Sequence, residues 1–403
     1  MLQPLAPDDA VFPDQPFLYL PDAAVVTDAR GILRYLGPVY GCPVPVGELE
    51  PAGLLVPPLL DCHTHIPQFF IRGRFLEGLE GLPPGKGLLQ GLHRNVYPAE
   101  ARCGDVESAV EVTEAFLQDT LAHGTLGGVA YMTSHPVATR VALQRLPDTW
   151  RVGLVLMNQN CPTALAITPA EARLALEGLY RDFGARLVVT DRFAVAVTSS
   201  LRQMAARFAR EHGLDTQTHL AEQPDELDTV RQLYPQHATY THVYEADGLL
   251  EAGCIVAHCI HLSEGEWHLL AQRRARVAHC PVSNTRLGSG RMDLASLHAA
   301  GVPWALCTDV GASPSTSLLH ELRHFCRVHA DGPAGQLARP SVGLWHATVG
   351  ARHAGRIDIG GLRVDHPFAA VEFASVGEAA DADEAIAKLL SVGEAPRIRR
   401  FWR

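Results

Sequence analysis

Lysine is almost missing from this 403-residue chain: Lys86 and Lys388 are the only two, and arginine carries the remaining positive charge, a mark of codon usage more than of binding. Positive charge is short overall, with 34 basic against 44 acidic residues, and a formal net charge of −10 argues against a nucleic-acid partner. Cys-x-x-Cys is absent, and the nine cysteines form an odd, scattered set that fits reduced thiols better than a disulfide framework. No apolar run approaches the roughly 18 residues a membrane helix needs. Met1-Leu2-Gln3-Pro4 also lacks the basic start of a secretory leader. These absences lead to the expectation of a cytoplasmic protein with no membrane or nucleic-acid partner. Internal repeats and low-complexity tracts do not stand out either. What is present, 47% hydrophobic and 19% charged residues, is the balance of a globular enzyme with room for one large domain and a small one.

Apolar runs rich in β-branched residues alternate with longer helical patterns, as in a parallel sheet built from strand–helix units. Eight runs qualify: Leu54–Leu60, Leu126–Met132, Arg151–Met157, Arg186–Thr190, Leu214–His219, Cys254–His258, Ala275–His279 and Val302–Thr308. Helical stretches fall between most of them, among them Val106–Ala122, Pro169–Phe183, Leu201–His212, Asp225–Tyr234 and Glu264–Arg274. Eight such units in roughly 300 residues match an α/β fold of the (β/α)8 TIM-barrel kind, whose functional residues gather where the strands end. Phe17–Leu20, Ala24–Thr27 and Gly31–Gly37 before the barrel, and Phe368–Phe373 and Arg397–Trp402 after it, are strand-like. The expectation is a small β-sandwich domain formed by both termini, residues 1–57 and 356–403, around a barrel of residues 58–355. The alternative is a pair of surface extensions.

The candidate chemistry sits at four run ends. Leu59-Leu60-Asp61-Cys62-His63-Thr64-His65 closes in two histidines one residue apart, which the two-residue period of a strand turns to the same side. Thr218-His219, Ala257-His258 and Thr308-Asp309 end other runs. Three imidazoles and a carboxylate, His63, His65, His219 and Asp309, suit zinc with a position left for water. Asp309 alone would more often be a helix cap, so its assignment depends on the others. In His219-Leu220-Ala221-Glu222 a carboxylate follows a ligand at the spacing of a proton carrier; its bland alternative is to complement the dipole of the helix that follows. His258 can stabilise developing charge, with Cys259 and His261 as competitors. His279 is expected behind the ligands, supporting them. The fourth run ends in Asp191-Arg192-Phe193, with no lysine in reach to bridge two metals, so a single metal ion is expected. Arg192, Phe193 and Gln68 together describe a pocket for a planar heterocycle.

These residues resemble the amidohydrolase superfamily, and within it the guanine deaminases, over nearly the whole chain. The likeness is carried by Asp61–Gln68, Tyr97-Pro98-Ala99-Glu100, Asp191-Arg192-Phe193, His219–Glu222, Leu233-Tyr234-Pro235, Ala257-His258-Cys259, Ala278–Pro281 and Thr308–Gly311. It implies that His63, His65, His219 and Asp309 bind one zinc, that Glu222 moves protons, that His258 assists, and that Gln68, Arg192 and Phe193 hold a purine. The implied reaction is hydrolytic replacement of the 2-amino group of guanine, giving xanthine and ammonia, and the resemblance is compatible with a homodimer. Another amino-heterocycle, such as 8-oxoguanine, a pterin, cytosine or a triazine, is the nearest alternative. A non-catalytic scaffold is the alternative of a different class, disfavoured by retention of every ligand and of Glu222. Three departures stand out: Gly91 where the resemblance leads one to expect a bulky aromatic, Asn158 for an aspartate, and Ala312-Ser313-Pro314 for a glycine-rich loop.

Overall fold

The run Leu54–Leu60 divides at Pro57-Pro58, where two missing N–H donors interrupt any sheet ladder. In the computed structural model, which describes residues 1–251, 253–331, 334–391 and 398–402, Leu54–Val56 belongs to a peripheral sheet and a new strand begins at Leu59. That strand, β1 (Leu59–His65), is followed by β2 (Thr125–Tyr131), β3 (Trp150–Leu156), β4 (Leu187–Asp191), β5 (Thr216–Leu220), β6 (Cys254–His258), β7 (Arg276–His279) and β8 (Trp304–Leu306). Neighbours in sequence are parallel neighbours in space. The seam between β8 and β1 is bridged where Asp309 N donates to His63 O at 2.9 Å, so the sheet is a nearly closed (β/α)8 barrel.

Helices cover the outside, each started by local chemistry. Thr168 and Ser263 open Pro169–Phe183 and Glu264–Gln272 with reciprocal capping boxes, and Asp105 caps Val106–Ala122. A short helix, Val349–Gly355, closes the lower mouth by packing Ala351 and Ala354 against inward residues that include Leu60, Cys62, Val188 and Ala278.

The ends of the chain meet in three small sheets. Leu2–Pro4 pairs with Phe17–Tyr19, and Ala23–Thr27 with Leu33–Pro38. Ala370–Phe373 lies between Leu54–Val56 and Ile398–Trp402. Arg397, the first residue of the strand expected there, lies outside the described residues. Met1, Leu55, Leu362 and Ala370 form the core of this region. Among the described residues no helix is long and apolar enough to cross a membrane, and all nine cysteines are free thiols.

Candidate metal centre and adjoining cleft

Leu60 and Cys62 face the lower barrel core, and strict alternation along β1 would turn His63 and His65 away from it. A bulge prevents this: Asp61 pairs with Gly128 and Thr64 with Ala130, so β1 advances one residue more than β2. The shift puts both imidazoles on the upper barrel axis. Asp61 secures it, accepting from Thr308 Oγ1 at 2.5 Å and Thr308 N at 3.2 Å across the seam. Ala221, His258, Cys259 and Asp309 sit in the left-handed region, with φ of 52°, 71°, 54° and 53°. Each is a costly conformation for a residue with a Cβ, and such strain gathers at functional sites. At His258 it follows an inward Ala257, so the turn in the backbone lets the next residue also enter the cleft.

His63, His65, His219 and Asp309 offer ligand atoms that all lie within 4.8 Å of one another. His219 Nδ1 donates to Arg192 O at 2.7 Å, which leaves a lone pair on Nε2 when the ring is neutral. That atom stands 3.2 Å from His65 Nε2, while Asp309 Oδ1 lies 3.3 Å from His65 Nε2 and 3.5 Å from His63 Nε2. Burial holds His63 below the ordinary imidazole range, His65 down to about 3 and His219 well below it, so the rings are neutral. For Asp309 burial works the other way, but the adjoining His63 and His65 outweigh it and the carboxyl stays ionised. Ser283 Oγ donates to its second oxygen at 2.6 Å, aiming Oδ1 at the histidines. His63 Nε2 is buried without a hydrogen-bond partner. Converging lone pairs, an ionised carboxylate and an orphaned nitrogen are what a divalent cation satisfies, and the N₃O donor set fits zinc.

Glu222 turns toward this centre. Its neighbour Gln223 caps the helix Pro224–Leu233 with Glu226 as reciprocal partner, so Glu222 is free of that task. Its Oε2 lies 3.5 Å from His258 Nε2, its Oε1 accepts from Ser289 Oγ at 3.0 Å, and its backbone N donates to Glu226 Oε2 at 2.8 Å. Burial pushes the Glu222 carboxyl up to about 7. His258 Nδ1 bonds to Asn284 Oδ1 at 2.9 Å, leaving Nε2 in the cleft. Burial opposes charge on His258, but Glu222 and Asp309 prevail and raise its pKa. The competitors face elsewhere: His261 bonds to Ser289 O at 2.9 Å, and the Cys259 thiol points back to Val256 O and Ala257 O.

The same cleft is lined by Gln68, Arg192 and Phe193. Both polar groups converge on a residue that sequence reasoning gave no role, Glu100, whose Oε1 accepts from Arg192 Nη1 at 2.5 Å and Gln68 Nε2 at 3.0 Å. Glu100 is fully buried, and its signal was a carboxylate inside the stretch Tyr97–Glu100. Phe75, Leu88, Leu92, Glu226 and Leu287 complete the wall. Gly311, at φ +126°, is required here, since a Cβ would lie 1.9 Å from Gln68 Oε1. His279 does not support the ligands. Ala278 faces inward, so alternation sends His279 outward to His329 Nε2 at 3.2 Å and to Trp304 and Phe325. Asn158 sits apart from the cleft wall and pins Thr198 by two bonds of 2.9 Å.

Residues 54–371 match the model of the Amidohydrolase family. Guanine deaminase of Escherichia coli (strain K12) is 33% identical over 285 residues, 68% of this chain and 62% of its own length. The chain thus spans under two thirds of that relative in the alignment. A protein of Deinococcus radiodurans named "Probable guanine deaminase" is 30% identical over 410 residues, covering 94% of this chain and 91% of its own. The solved structure of the E. coli guanine deaminase superposes with a TM-score of 0.86 at 25% identity, covering 100% of this chain and 96% of that one. The family match over most of the chain, and the near full-length likeness to the Deinococcus protein, establish that this chain belongs to the amidohydrolase family.

Proposed function

We propose that the protein is a zinc-dependent guanine deaminase, converting guanine and water to xanthine and ammonia. The observation that carries this reading is the convergence of two sets of residues on one cleft: His63, His65, His219 and Asp309 beside Glu222 and His258, and Gln68, Arg192 and Phe193 in its lining. The first four would hold one zinc, which when bound would supply an activated water at neutral pH. Glu222, with a pKa near 7, is poised both to accept a proton and to deliver one to the purine ring nitrogen. His258 presents Nε2 to the charge that builds on the reacting carbon's substituents. Arg192 donates to the purine carbonyl, Gln68 to a ring edge, and Phe193 offers a flat apolar surface. Glu100 holds the first two in register.

A single zinc agrees with the placement of both lysines at the surface, Lys86 3.5 Å from Asp228 and Lys388 2.7 Å from Glu384. Unpaired thiols suit a cytoplasmic location. The reading retains a small-molecule partner, a homodimer as the assembly, and domain limits at residues 57 and 355.

The test is ammonia release from a panel of guanine, 8-oxoguanine, a pterin, cytosine, a triazine and adenine. Guanine should be preferred, and adenine rejected by several kcal/mol, because its amino group would give the Arg192 donors facing the substrate no acceptor in place of the guanine carbonyl. Equal rates on adenine and guanine would overturn the assignment. Arg192→Ala should cut guanine turnover severely while metal content stays unchanged.

A further inference from the structure

We infer that Phe75 is a specificity-determining wall of the purine pocket, and that Gly91 is kept bare to admit its ring. The inference rests on the proposed deaminase reading. Gly91 has ordinary helical dihedrals, φ −62° and ψ −40°, at which alanine is the better residue. Backbone conformation therefore does not call for glycine there. Space does: a Cβ on Gly91 would lie 2.5 Å from Phe75 Cε1, 2.6 Å from Cδ1 and 2.9 Å from Phe75 O.

The ring is brought from a different stretch and fixed in place. Asn95 Nδ2 donates to Phe75 O at 2.8 Å and to Glu77 O at 3.1 Å, gripping the backbone from the helical side. Two residues earlier, Gly73 N donates to Gly311 O at 2.9 Å, tying the segment to the loop that also seats Gln68. Phe75 is 6% exposed and lines the cleft together with Phe193, so the pocket draws aromatic surface from two separate elements. A planar heterocycle has two faces and an edge; Gln68 and Arg192 serve the edge, and a second ring adds apolar contact that one phenylalanine cannot supply.

The test measures kcat and KM on guanine, or on whichever panel heterocycle the unaltered enzyme prefers, with zinc content checked in each variant. Phe75→Ala should raise KM about tenfold, the scale of losing one base–aromatic contact, with kcat changed less. Phe75→Leu, which conserves apolar volume, should fall between and guards against a misfolded alanine variant. Gly91→Phe alone should impair binding, because two rings compete for one space. A KM within twofold of the parent in Phe75→Ala, or in Phe75→Leu where the alanine variant fails to fold, would overturn the inference. Loss of the deaminase reading would show instead in the parent enzyme, as absence of turnover on every panel member. In that case guanine binding to parent and Phe75→Ala, measured by calorimetry, decides the role of Phe75 with the same tenfold criterion.

Discussion

Glu222 is gripped from three sides, by Ser289 and His258 at its carboxyl and by Glu226 at its backbone, which leaves little freedom except to exchange a proton. Glu222→Gln keeps size and the Ser289 contact but removes the titrating group, so turnover should fall on the order of 10²-fold or more with metal content unchanged. Near-parent kcat in a metal-replete sample would remove Glu222 from the role. Gly311→Ala is a sharper steric probe, since its methyl would meet Gln68 Oε1 at 1.9 Å in a conformation that already disfavours a side chain. It should raise KM for guanine more than it lowers kcat, and an unchanged KM would mean that Gln68 does not touch substrate. At this scale the metal ligands were legible because two of them share one strand and the rest end apolar runs. Glu100 was not legible as a partner, because Gln68 and Arg192 stand 32 and 92 residues away from it.

At the scale of elements, the strands were read from apolar runs with errors that range from none, at Cys254–His258, to a displacement of the whole first run from Leu54–Leu60 to Leu59–His65. The errors have causes: Pro57-Pro58 splits the first run, and β8 ends as Thr308 and Asp309 turn from β7 to bond across the seam to Asp61 and His63. The bulge in β1 has no composition signal, whereas the outward direction of His279 follows from plain alternation after the inward Ala278. The lower mouth holds an arrangement that no local pattern announces. Asp215 accepts from Arg151 at 2.6 Å and from Arg276 and Arg356 at 2.7 Å, while Arg151 and Arg276 also donate to Gly355 O and Ala354 O at the end of the closing helix. Burial acts to raise the Asp215 carboxyl, but the three guanidiniums outweigh it and hold its pKa below the usual range. Its contribution to stability is therefore present above the unfolded value near 4 and lost as pH falls through the lower folded value. Asp215→Ala strands buried guanidiniums and should cost about 3–5 kcal/mol in denaturant unfolding, with little change in kcat for the folded fraction. A loss under 1 kcal/mol would show that the arginines find other partners.

For the whole molecule, the proposed metal is also a fastener. Its ligands come from β1, from β5 across the barrel, and from the segment after β8, so one ion would tie the seam to the opposite wall. Without it, one ring proton can bridge His65 Nε2 and His219 Nε2 at 3.2 Å, but His63 Nε2 stays buried with no partner, a cost the ion would remove. A ligand that binds only the folded state adds RT ln(1 + [L]/Kd), about 2.7 kcal/mol at one hundred times Kd. Chelation should therefore lower Tm by on the order of several degrees for a chain of this size, and one equivalent of zinc should restore it. The shift should persist in Glu222→Gln, which keeps every ligand, and vanish in His63→Ala, which lacks one. Zinc titration followed by elemental analysis gives the stoichiometry in the same samples: a Tm that saturates at one equivalent supports the single-ion centre, and saturation at two would replace it with a binuclear one. A Tm that stays unchanged after chelation has removed all metal would show that hydrogen bonds across the seam, such as Asp309 N to His63 O, close the barrel without help.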